Sequence, residues 1–230
     1  MNHRSRFILI LGVLVALAPL AAQADWYDGF ESYPAGGGLH GLGGWMGWND
    51  DPAFDAVVND LYAFAGTQSL AVAGNADIVQ SFSGYTNGIW NLVTWMLIPG
   101  NFIGETYFIA LNTYQPNGAQ NWSVQVRFSG GLIQTDSAGG ETMPYVTDQW
   151  AEVRLVIDLQ SNLQTFYYNG AVLYQASWTE GVSGGGALDI GAIDLFANGA
   201  SEVFYDEMSL SPATVAVESK SLSQVKSLFR

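Results

Sequence analysis

Cysteine is absent from the 230-residue chain. No disulfide, thiolate zinc site or lipid-bearing cysteine can form, so the fold is held by packing, with or without a metal. Basic residues are nearly as scarce: seven Lys and Arg stand against 21 Asp and Glu, a formal net charge of −14, and between Asp25 and Pro212 only Arg127 and Arg154 are cationic. Phosphate backbones and anionic lipids are held by neutralising cations, so nucleic acid and an anionic membrane surface are poor partners. A neutral polysaccharide or a divalent cation suits this surface better. Charged residues make up only 12% of the chain, too few for a salt-adapted acidic surface. Histidine is almost missing too, which leaves His40 as the one imidazole beyond the leader. Before the last residues no stretch holds a helical period for more than two turns.

The leader is read from Arg4 and Arg6, an apolar run from Phe7 to Leu20, and Ala22-Gln23-Ala24, a small-x-small cleavage signal. Residues 1–24 are expected to be a cleaved signal peptide, 25–212 a single β-domain and 213–230 a tail. The expected location is outside the cytoplasm: extracellular, periplasmic or on the cell surface. The apolar run is short of the roughly 20 residues that span a bilayer and contains Pro19, so no transmembrane segment is expected after cleavage. The tail places Leu222, Val225 and Leu228 or Phe229 at helical spacing, which predicts a short amphipathic helix.

Aromatic strands and glycine turns fill the rest, with 27 Gly, 12 Phe, 11 Tyr and 8 Trp. Ala151, Val153, Leu155, Ile157 and Leu159 alternate with Glu152, Arg154 and Asp158, the period of a half-buried strand. A polar turn, an aromatic strand from Gln164 to Tyr168, the hairpin dipeptide Asn169-Gly170 and a strand from Ala171 complete a meander. Further strands are expected at Ser69–Val72, Ile78–Phe82, Leu92–Ile98, Tyr107–Tyr114, Ser123–Phe128, Leu188–Phe196 and Glu202–Leu210, with residues 36–52 as a long loop. About ten strands without helices predict an all-β, antiparallel sandwich or barrel. Val124, Val126, Phe128, Val153, Leu155 and Ile157 are expected to face inward.

The strand WAEVRLVID, its short turn and FYYNG, together with GTQSLAV (Gly66–Val72) and VFYDEMSL (Val203–Leu210), resemble the laminin-G-like, concanavalin A-like jelly roll of secreted proteins. The resemblance covers about a quarter of the chain and implies a β-sandwich (jelly roll). Such folds serve as lectins, glycosidases, lyases and adhesion modules, so the fold alone leaves the activity open. In many jelly-roll sugar-binding modules a Glu from the first strand and an Asp from the last share a structural Ca²⁺. Carried over to YDGFESY and VFYDEMSL, the resemblance implies Glu31 and Asp206, with Asp28 as a third ligand.

Catalysis finds little support. The GVSGG string at Gly181–Gly185 lacks the strand-to-helix turn of a nucleophile elbow. The E-x-D-x-x-E and E-x-D-x-E patterns of jelly-roll glucanases are missing, and neither Glu202, Asp206, Glu207 nor Asp50, Asp51, Asp55 has alternate-residue spacing. Sugar binding needs a flat aromatic face beside hydrogen-bonding groups, and the loop GGWMGWNDDPAFD supplies Trp45, Trp48, Asn49, Asp50 and Asp51. Trp122, heading a strand, is expected in the core. The sequence therefore predicts a non-catalytic module binding carbohydrate, a polysaccharide or surface glycan, with structural calcium. The alternatives are an adhesive or self-assembling surface protein and, third, a glycosidase or polysaccharide lyase.

Overall fold

A computed structural model describes residues 25–137 and 139–213. The expected signal peptide and all of the expected tail beyond Ala213 lie outside the described residues. Fifteen strands account for most of the fold: β1 (Trp26–Asp28), β2 (Trp45–Gly47), β3 (Val57–Asn59), β4 (Ser69–Gly74), β5 (Asp77–Ser81), β6 (Ile89–Leu97), β7 (Glu105–Tyr114), β8 (Gln120–Ser129), β9 (Leu132–Thr135), β10 (Thr142–Pro144), β11 (Trp150–Asp158), β12 (Leu163–Tyr168), β13 (Ala171–Ser177), β14 (Ala192–Asn198) and β15 (Ala200–Pro212). They form two sheets. The first runs β13-β12-β11-β6-β15-β4-β3 with β1 also paired to β15, and the second runs β10-β9-β8-β7-β14-β5-β2. Every pairing is antiparallel. The protein is an antiparallel β-sandwich, one of the two forms its strand pattern predicts, and of the jelly-roll type that the resemblance implies.

The core lies where the inward faces meet. Ala151, Val153, Leu155 and Ile157 of β11 and Val124, Val126 and Phe128 of β8 are all fully buried, which includes each of the six positions expected to face inward. Phe108 of β7 and Phe166 of β12 close the gap between sheets edge to face, with centroids 5.7 Å apart. The meander is present as predicted. Asp158 Oδ1 accepts hydrogen bonds from the amides of Gln160 and Ser161, and Asn169 and Gly170 take the left-handed backbone that a tight hairpin requires.

Two segments depart from the sequence reading. Residues 36–52 are not wholly loop: β2 pairs with β5, and the short 3₁₀ turns Trp48–Asp50 and Pro52–Phe54 follow. Three residues are too few to show a period of two, so β2 left no pattern. Gly47 permits the bend, because a Cβ there would strike the Asp51 carbonyl and Phe54. The expected strand from Leu188 begins only at Ala192, since Gly184, Gly185 and Gly186 hold left-handed turns just before it.

Leu155 sits opposite Phe166 on one side and Leu92 on the other, with no exposed surface. An unpaired carboxylate there costs several kcal/mol against a typical total stability of about 5–15 kcal/mol. Leu155→Asp is therefore expected to abolish folding, read as loss of the cooperative thermal transition; a variant melting within a few degrees of the parent would contradict this packing.

Candidate functional site

The outer face of the second sheet is itself largely covered. In β7, Phe108 and Ala110 point to the core while Tyr107, Ile109 and Leu111 point outward, yet all five are buried. β14 repeats this: Ile193, Leu195 and Ala197 face in, and Ala192, Asp194 and Phe196 face out. The outer residues are covered by Trp48, Tyr114 and Trp122, with Met46 alongside. Trp48 packs against Tyr114 and lies nearly parallel to Trp122, at centroid distances of 5.1 and 5.9 Å. Tyr107 stacks on Phe196 at 5.5 Å.

The Trp48–Trp122 and Tyr107–Phe196 pairs line one cleft of about 380 Å³. Ile109, Asp77 and Asp194 also line it, and Gln120 and Gln125 add amide groups. Asp194 pairs with Val79 and Phe196 with Asp77, so the two acids are diagonal neighbours on one face of β14 and β5. Their carboxyl groups lie within hydrogen-bonding reach of each other, while Oδ1 of each is buried without a partner. Burial pushes Asp194 well above the usual carboxylate range, and the charge of Asp77 and its hydrogen bond push further the same way. Burial raises Asp77 as well, although the hydrogen bond from Asp194 works against that rise. Of the two, Asp194 is the group that keeps its proton to higher pH, and its carboxyl is the donor in the contact with Asp77.

The residues expected at the ligand site are divided by the structure. Trp45 is 1% exposed, packs against Trp26 and Phe30, and donates its indole N–H to Asp28 Oδ2 at 2.8 Å. Trp48 lines the cleft. Asn49 stands behind it: Oδ1 accepts from the Asn117 amide and from Gln120 Nε2, both at 2.8 Å. Asp50 approaches His40 at 3.9 Å, Asp51 caps the next 3₁₀ turn through the Ala53 amide, and neither lines the cleft. Trp122, expected in the core, lines the cleft instead, because Ser123 is an extra residue in β8 opposite the step from Ala110 to Leu111. That bulge reverses the side on which the next residue emerges. Asp77, Asp194, Tyr107 and Phe196 were not singled out from sequence. A lone acid within the apolar run of β14 was the one signal available.

The three acids expected to hold calcium are occupied by donors. Glu31 Oε1 accepts from the amides of Thr67 and Gln68, and Oε2 from the Thr67 hydroxyl; the Thr67 amide is the main reason its carboxyl is held below the usual range. Asp206 Oδ2 accepts from the amides of Phe64 and Ala65, and Oδ1 from that of Glu207. Asp28 Oδ1 accepts from the Phe30 amide, and Oδ2 from Tyr33 Oη and Trp45 Nε1. Every one of the six oxygens faces an N–H or O–H group. Among the described residues no three His, Cys, Asp or Glu side chains converge on a common point. Ser183, within the GVSGG string, lies in the loop after β13 and accepts the Trp122 amide at 3.2 Å. No described helix is long and apolar enough to cross a membrane.

No family model and no curated protein matches the chain. Among solved structures it is similar to one titled "Sialidase", with 12% identity and a TM-score of 0.57 over 84% of this chain and 19% of that one. It is similar also to "Cellulose induced protein, Cip1", with 11% identity and a TM-score of 0.50 over 69% of this chain and 85% of that one. The chain spans about a fifth of the sialidase's length. At these identities the likeness shows the sandwich fold.

A pair that binds its proton more tightly folded than unfolded stabilises the fold most below the ordinary Asp value of about 3.9. That contribution is lost as pH rises through the elevated value. Asp194→Asn removes the loss, so it is expected to raise the melting temperature at pH 7–8 and to give little gain at pH 4. Each unit of displacement is worth about 1.4 kcal/mol, or about 2–4 °C per kcal/mol for a domain of this size. Thermal melts of both proteins across that range check it; an equal difference at both pH values would place the proton elsewhere.

Proposed function

We propose that the protein is a non-catalytic, concanavalin A-like jelly-roll module that binds carbohydrate in the cleft on its second sheet. The observation that carries this reading is the convergence of Trp48, Trp122, Tyr107 and Phe196 with Gln120, Gln125, Asp77 and Asp194 in one open cleft. Aromatic faces lie against the C–H faces of pyranose rings, and amide and carboxyl groups hydrogen-bond their hydroxyls. The sandwich likeness supports the reading only by permitting it. The strong acid excess leaves neutral or cationic sugar as the better partner.

Hydrolysis is the second reading, favoured by two carboxyl groups in the same cleft. Glycosidases place their two acids about 5–9.5 Å apart so that the sugar, or sugar and water, fits between them. Asp77 and Asp194 instead stand within hydrogen-bonding reach of each other. A pair so close has no room for a glycosidic bond between its members, and binding is the better account.

Trp48 is half-buried at the cleft wall and makes no side-chain hydrogen bond, so Trp48→Ala is expected to weaken retention on a carbohydrate matrix tenfold or more while lowering the melting temperature by only a few degrees. Affinity electrophoresis on a panel of soluble polysaccharides measures the first and a thermal melt the second. Unchanged retention of the variant on every polysaccharide that binds the parent would remove the cleft from the reading.

The calcium ion implied by the resemblance stands as a separate proposal. For it to bind at Glu31, Asp206 and Asp28, the amides of Phe64, Ala65, Thr67 and Gln68 must turn away from the carboxylates. An ion binding only the folded state at a hundredfold excess adds about 2.7 kcal/mol, so chelation would lower the melting temperature by about 5–10 °C. Equal melting in EDTA and in millimolar calcium would leave the hydrogen-bonded arrangement alone.

A further inference from the structure

We propose that the floor of the cleft receives an ammonium group, so that the sugar selected is an amino sugar with a free amine. The inference rests on the carbohydrate reading and narrows its ligand class.

Two buried oxygens at this site receive no donor from any residue outside the acid pair: Oδ1 of Asp194, in a residue 2% exposed, and Oδ1 of Asp77. Two carboxyl groups in a low-dielectric setting are poorly served by each other alone, and a group that donates two or more hydrogen bonds serves both at once. A single sugar hydroxyl donates one. A primary ammonium donates three and brings the charge that the acids lack. The walls favour the same group, because cations are attracted to the faces of Trp, Tyr and Phe, and Trp48, Trp122, Tyr107 and Phe196 all line the cleft.

Among the described residues no Lys, Arg or His lines the cleft. Arg127, which faces Tyr107 across β7 and β8, is directed to Glu105 at 3.4 Å and to Gln134 Oε1 at 2.6 Å. The other titratable groups near the pair are Tyr107 with Glu105 from β7, Tyr114 at the end of that strand, the buried Tyr205 of β15, and Asp50 from the Trp48 turn with His40 at 3.9 Å beyond it. Apart from Arg127 and His40, these are acids or phenols, so the local field also attracts positive charge. In place of a cation the pair holds a proton. An arriving ammonium replaces it, the Asp194 carboxyl ionises, and the proton passes to solvent.

Isothermal titration of the full chain tests this with three oligosaccharides of equal length: glucosamine, its N-acetylated counterpart and a neutral glucan. Titrations run at 0.15 M salt, where exposed charges more than about 8 Å apart are largely screened, and in two buffers of different ionisation enthalpy. The expected result is binding of the glucosamine oligomer at least tenfold tighter than of the other two, with release of up to one proton per site. Asp194→Asn and Asp77→Asn are each expected to bring that preference close to one. Melts of both variants confirm that they remain folded. Equal or weaker binding of the amine oligomer by the parent protein overturns the inference and leaves the carbohydrate reading in place. A preference that persists in both variants also overturns it, since it then belongs to the acidic surface at large. Binding of none of the three, nor of any polysaccharide in the panel above, overturns the underlying reading together with this one.

Discussion

With no covalent cross-link available, the sandwich depends on removing side chains from water between its sheets, and β7 and β14 show how far that demand reaches. They sit side by side within the second sheet, and their inward residues belong to the main core. Their outward residues are buried as well, under Trp48, Tyr114 and Trp122. A strand covered on both faces has no wet side on which to place a polar group. Asp194 is nonetheless on that outer face, and everything notable about the cleft follows from the conflict between its charge and its surroundings.

A buried acid can be relieved by a cation, by hydrogen-bond donors or by a proton. The first is not supplied by the described residues, whose two arginines are engaged elsewhere: Arg127 with Glu105, and Arg154 with Glu152 and the ring of Tyr167. The second is used at the other buried acids, where Asp28 and Asp206 are supplied with amide, phenol and indole donors. Asp194 and Asp77 receive none of these, and each answers the other through one proton. The same residue type thus plays two parts: it ties loops together where donors surround it, and it has only a second acid for company where the cleft opens.

The architecture was legible because long strands carry their own period. β11 and β8 alternate over enough residues that register and inward face followed directly. The site was less so. Trp45 and Trp48 stand three residues apart in a glycine-rich stretch, and which of them points inward is decided by a three-residue strand and a bend at Gly47, neither of which leaves a periodic trace. Trp122 shares the parity of Val124, Val126 and Phe128, and only the bulge at Ser123 carries it to the opposite face. Asp77 and Asp194 lie more than a hundred residues apart and meet through the pairing of β5 with β14, a fact of topology that no local pattern contains.

Asn49 links the turn that bears Trp48 to the β7–β8 hairpin. Its Oδ1 holds the Asn117 amide and Gln120 Nε2, its carbonyl takes Asn117 Nδ2, and its own amide reaches Tyr114 Oη. Trp48 on one side of this knot and Trp122 with Gln120 on the other are therefore parts of a single rigid frame. The width between the walls is set before any ligand arrives, so little conformational entropy remains to be lost on binding. Were the proposed sugar chain to enter, a slot of fixed gauge would select it by its thickness as well as by its chemistry, and a branch at the wrong carbon would be refused at the rim before any hydrogen bond on the floor could form.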